Sequence, residues 1–120
     1  MLLWAVDNPE RLSQSATELL ENGANQVYFS LVSIWEASIK FALGRPDFTM
    51  PPRVLRDGLL RFGFLELPIA AEHVIAVSNL PPLHRDPFDR LLVAQAEIEG
   101  LILMTTDKTL AKYGNHVRRF

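Results

Sequence analysis

The sequence contains no cysteine. Disulfide frameworks and thiolate metal sites are therefore excluded, and a reducing cytoplasm suits such a chain. No run approaches the ~20 apolar residues of a membrane-spanning helix. The opening "MLLWAV" is short and carries no preceding positive charge, so it does not read as a secretion signal. A surplus of positive charge is also lacking. The formal net charge is −2, so bulk electrostatics does not advertise nucleic acid. Nine of the twelve basic residues are arginine, whose planar fork suits phosphate, although surface arginine is common in any protein. There is no glycine-rich phosphate loop and no serine-centred elbow. The three histidines follow no zinc-binding spacing.

What is present is an ordinary globular composition, 48% hydrophobic and 22% charged over 120 residues. That is one domain with enough chain for a real core. Leu12, Ala16, Leu19 and Leu20 predict a helix over 9–21. Val27 to Phe29 is β-prone. Trp35, Ile39, Ala42 and Leu43 line one helical face, with Gly44 as its stop. Residues 53–63 are amphipathic, "FLELP" is a brief strand, and "AAEHVIAVSNL" is a short helix ended by Pro81 and Pro82. "DPFDRLLVAQAEIEG" is the clearest helix: Asp86 caps it, Pro87 suits its first position and Gly100 closes it. "LILMTTD" is a continuous apolar run of the kind found in a parallel strand buried on both faces. "KTLAKYG" is a short helix and "HVRRF" a last strand. Strands alternating with helices predict a parallel α/β sheet flanked by helices.

In such sheets ligands gather beyond the carboxyl ends of the strands. Three acids fall there: Glu36, Asp89 and Asp107. Each has a structural reading too. Asp107 can cap the helix that follows its strand. Asp89, three residues after Asp86, forms a capping-box-like pair that complements the helix dipole. Glu36 can pair with Lys40 one turn on, for a few tenths of a kcal/mol. Taken together, clustered carboxylates without sulfur ligands favour a hard cation, Mg²⁺ or Mn²⁺. Such an ion can generate hydroxide and stabilise charge on a phosphate being cleaved. His73 reads as a packed residue in an apolar helix. His84, just before "RDPFD", can contact a substrate or the helix start.

"SIWE", "LHRDPFDRLLVAQA" and "LILMTTD" together resemble the PIN-domain family, and within it the VapC-like toxins of bacterial toxin–antitoxin pairs. "MLLWAVDNPERLS" and "LPIAAEHVIAVSNLPPLHRDPFDR" resemble the same subgroup, so the likeness runs nearly the whole chain. It implies a PIN-like parallel α/β sheet and a metal-dependent ribonuclease using about four acids. On that resemblance Glu36 matches the second acid, Asp89 the third and Asp107 the fourth, holding Mg²⁺ or Mn²⁺ directly or through water. Ser33, Asp86 and Thr106 are supporting candidates. The resemblance also implies a cognate antitoxin, an RNA substrate, a homodimer and a cytoplasmic location, with no membrane partner.

One part of the pattern is missing. The family opens with a strand ending in Asp, followed by T-H-x-L-L-W, and here Met1 occupies the x. On this alignment the first acid lies three residues before Met1, "LLWAV" belongs to the following helix, and Asp7, at that helix's far end, cannot replace the acid. The expectation is thus a single PIN-like domain over 1–120 whose first central strand is truncated. Two explanations stay open. The start codon was called too late, with Met1 standing for an alternative valine codon. Otherwise the 120-residue form is poorly stable and nearly inactive, as its sheet would lack ladder partners and its site a carboxylate. A catalytically dead module that only binds antitoxin or RNA is the rival function. A phospho-accepting receiver domain ranks below both, since paired early acids and a late lysine are lacking.

Overall fold

A computed structural model describes residues 2–6, 18, 21–23, 25–105 and 107–119, with backbone alone for 2–6 and 119. Five strands form one sheet: β1 (Leu2–Val6), β2 (Asn25–Ser30), β3 (Leu65–Leu67), β4 (Ile102–Thr105) and β5 (Val117–Arg119). Their order is β3-β2-β1-β4-β5, and every neighbouring pair is parallel. Among the described residues, four helices connect them: α1 (Leu31–Ala42), α2 (Pro52–Phe62), α3 (Ala71–Ala76) and α4 (Pro87–Glu99). Short 3₁₀ turns lie at Val77–Asn79 and Leu110–Tyr113. The parallel α/β architecture is the one expected. Among the described residues, no helix is long and apolar enough to cross a membrane.

Local chemistry explains the boundaries. Ser30 ends β2 and caps α1, its Oγ accepting the Val32 N–H at 3.0 Å. Proline opens α2 and α4, where its missing N–H costs nothing. Gly63 and Gly100 end those helices at φ 102° and 68°, a left-handed conformation that side chains disfavour. Successive residues of β4 serve opposite faces. Leu103 joins a core with Val32, Leu92, Val93 and Leu110, while Met104 joins Val27, Phe29, Leu55 and Phe64 on the other side. Burial on both faces is what the unbroken apolar run required.

"LLWAV" is corrected by the structure. It is not the first turns of a helix but the central strand, with Val6 in register with both Phe29 and Met104. The missing-strand expectation for the sheet is corrected with it. The physical reason is the ladder: β2 and β4 are buried, and an empty place between them would strand two rows of backbone donors and acceptors. A five-residue apolar run satisfies both rows. Asp7 follows β1 directly in the sequence and lies outside the described residues, as does most of the helix predicted over 9–21.

Candidate metal centre at the carboxyl edge

All five strands run the same way, so their carboxyl ends share one edge of the sheet. β4 delivers Asp107 to that edge, two residues beyond Thr105. Its backbone N–H donates to Thr105 Oγ1 at 3.0 Å, which fixes the turn out of the strand. The two carboxylate oxygens then divide the work. Oδ1 accepts the backbone N–H groups of Thr109 and Leu110 at 2.7 and 3.3 Å, capping the 3₁₀ turn. Oδ2 accepts from His84 Nε2 at 3.1 Å. One oxygen thus serves the turn that the sequence predicted, and the other faces His84.

Helix α4 delivers Asp89 in its first turn. Asp86 is the cap, its Oδ1 accepting from the Phe88 and Asp89 N–H groups at 2.8 and 3.2 Å. Asp89 Oδ2 lies 3.5 Å from the same His84 Nε2. His84, Asp89 and Asp107 each offer a ligand atom, and these atoms all lie within 4.8 Å of one another. All three residues are half-buried, neither sealed in the core nor fully in water.

Burial pushes the Asp107 carboxyl up, but the opposing effects together are larger. The hydrogen bond from His84, those from the Thr109 and Leu110 N–H groups, and the attraction of the His84 ring hold it below the ordinary carboxylate value.

The remaining candidates fall as follows. Glu36 accepts from Lys40 Nζ at 2.9 Å within α1, and it is not among the three gathered groups. Lys40 also sits 4.8 Å over the Phe48 ring. Trp35, the neighbour of Glu36, touches α4, meeting Phe88 edge-on with ring centroids 4.8 Å apart. Glu36 and Asp89 thus each follow one member of that aromatic pair in sequence. Ser33 is buried in α1. Asp86 supports the site through its backbone as well as its cap, since its N–H donates to His84 Nδ1 at 3.1 Å. Thr106 lies outside the described residues.

Sequence reasoning did not place His84 with the acids. The only local signal was its position two residues before a helix cap. Two further residues were also missed. Tyr113 Oη accepts the His84 backbone N–H at 3.1 Å. Arg90 Nη1 donates to the His84 carbonyl and to Tyr113 Oη, both at 3.3 Å, and to the Pro81 carbonyl at 3.2 Å, while Nη2 reaches the Val77 carbonyl at 3.1 Å. One guanidinium thereby ties the 77–84 segment to α4.

Carboxylate oxygens without sulfur fit a hard divalent cation. Asp89 and Asp107 could hold one.

The PIN domain family model matches residues 1–115. No curated protein matches the chain. Among solved structures, a chain from the crystal structure of VapBC2 from Rickettsia felis, bound to a DNA fragment from their promoter, is similar with a TM-score of 0.71. The two chains are 12% identical, and the match covers 99% of each, a likeness of fold.

Proposed function

The chain belongs to the PIN-domain family, and from that premise we propose that it is a metal-dependent endoribonuclease, a toxin restrained by a cognate antitoxin. The observation that carries this reading is the convergence of the Asp89 and Asp107 carboxylates at the carboxyl edge of the sheet. Asp89 and Asp107, joined by Glu36 from α1, are the residues to hold Mg²⁺ or Mn²⁺. A bound ion there supplies a Lewis acid and an activated water for phosphodiester hydrolysis. The protein's own task is to keep the carboxylates together and ionised. The lowered affinity of Asp107 for its proton serves that task.

An antitoxin partner is supported by the similarity to a chain of a VapBC2 complex. Pairing into a homodimer is supported by the apolar outer face of α1 and its C-cap, where Trp35, Ile39 and Leu43 are exposed. The absence of cysteine agrees with a cytoplasmic setting.

RNA cleavage with Mn²⁺ or Mg²⁺, set against EDTA and against Asp89→Asn, tests the mechanism. Activity is expected to vanish in both controls, and full activity in either rejects it. A second reading, a module that binds antitoxin or RNA without cutting, is favoured by one observation: Glu36 is engaged by Lys40, and among the described residues only two carboxylates stand in the gathered group. Antitoxin binding without metal-dependent cleavage would select it.

A further inference from the structure

We propose that His84 is a positioning residue of this centre: it braces the Asp89 and Asp107 carboxylates through its Nε2–H and does not ligate the cation itself. The inference rests on the reading of those acids as metal ligands. By composition alone, a histidine and two aspartates within 4.8 Å would pass for a three-ligand site. The hydrogen bonds of the ring argue otherwise. Its Nδ1 receives the Asp86 backbone N–H at 3.1 Å, and a backbone amide can only donate. Nδ1 therefore presents its lone pair, and in the neutral ring the proton lies on Nε2. That nitrogen is the one facing Asp107 Oδ2 at 3.1 Å and Asp89 Oδ2 at 3.5 Å. A protonated ring nitrogen has no lone pair to give a cation.

The backbone that carries the ring is anchored as well. The His84 N–H is fixed by Tyr113 Oη and its carbonyl by Arg90, which itself spans the Val77 and Pro81 carbonyls. Turning the ring over would put Cδ2–H against the Asp86 N–H and Cε1–H against the carboxylates, losing both bonds. Two neighbouring carboxylates repel each other. An N–H aimed between them offsets part of that repulsion before a cation arrives and keeps both oxygens oriented afterwards. Groups that orient metal ligands in this way typically contribute 10–100-fold to metal affinity.

Two measurements test the assignment. Nitrogen-15 NMR of the His84 ring, assigned by comparison with His84→Ala, is expected to show the proton on Nε2 both without Mg²⁺ and at saturating Mg²⁺. A proton found on Nδ1, or lost from Nε2 when Mg²⁺ binds, overturns the proposal. Calorimetric Mn²⁺ titration is expected to show His84→Ala binding about 10–100-fold more weakly than the unaltered protein. His84→Gln, whose amide can carry a donor to the same place, is expected to recover most of that loss. An unchanged affinity in His84→Ala also overturns it. If the unaltered protein binds neither ion, the metal reading fails instead, a result distinct from either.

Discussion

Two histidines, His73 and His84, are wired alike and placed differently. In each ring, Nδ1 accepts a backbone N–H, from Ala70 at 2.9 Å in one case and from Asp86 at 3.1 Å in the other. In each, Nε2 points at a carboxylate. His73 is 1% exposed and meets a single acid, Glu99, at 2.8 Å. The chain of bonds around it closes inward: Gln95 Nε2 reaches both His73 Nδ1 and the Pro68 carbonyl at 3.3 Å, and Gln95 Oε1 accepts from Ser30 Oγ at 2.5 Å. Around His84 one N–H faces two acids, at an edge that water reaches. The same wiring is a crossbar between α3 and α4 in the first case and a brace between two carboxylates in the second. Burial and the number of acids decide which.

The sharpest way to break this comparison is to truncate both rings. His73→Ala opens a cavity and leaves the Ala70 N–H and the Gln95 amide without their acceptor. It should cost about 2–4 kcal/mol in urea unfolding. His84→Ala should cost less, about 1 kcal/mol, since water at the open edge can take over the ring's bonds to Asp86 and Asp107. Equal losses would mean that the two rings do the same job. Gln95→Leu comes next. It fills the space but leaves Ser30 Oγ and the Pro68 carbonyl short of a buried partner, for about 1–3 kcal/mol. Mn²⁺ affinity should be unmoved by Gln95→Leu in calorimetry, and a large change would join the two networks that the comparison separates.

Local features were legible and distant ones were not. The Asp86 cap, Pro87 and Gly100 delimit α4 because capping is decided within a turn or two of chain. "LILMTT" was legible as a buried parallel strand because both of its faces had to be apolar. The Glu36–Lys40 pair was foreseeable from its one-turn spacing. "LLWAV" was not, since five apolar residues carry no period that separates strand from helix. What fixed it as β1 was the need of β2 and β4 for a common partner, a demand written 23 and 98 residues away in the register of Leu2 with Asn25 and Trp4 with Ile102. His84 was hidden for the same reason. Its ring and backbone are held by Asp107 and Tyr113, 23 and 29 residues away in sequence. No motif of a few residues contains that information.

The smallest expected effect concerns Asp107, which distinguishes the open cluster from the closed one by its response to acid. Its folded-state carboxyl titrates below the ordinary 3.8. A carboxyl depressed on folding contributes stability that is fully present above 3.8 and lost as pH falls through the lower, folded value. Solvent reaches this side chain, so the contribution should be smaller than the loss caused by Gln95→Leu. In Asp107→Asn the bonds from Thr109 and Leu110 can persist on the amide oxygen, whereas the charge facing His84 is gone. The melting-temperature gap between the two proteins should therefore hold steady through neutral and mildly acidic pH and narrow only below 3.8, where protonated Asp107 comes to resemble asparagine. Carbon-13 NMR of the Asp107 carboxyl should place its midpoint in that same low window, measured without divalent ions. A midpoint at or above 3.8 would mean that burial outweighs the His84 and backbone bonds, and that the brace does not hold Asp107 ionised.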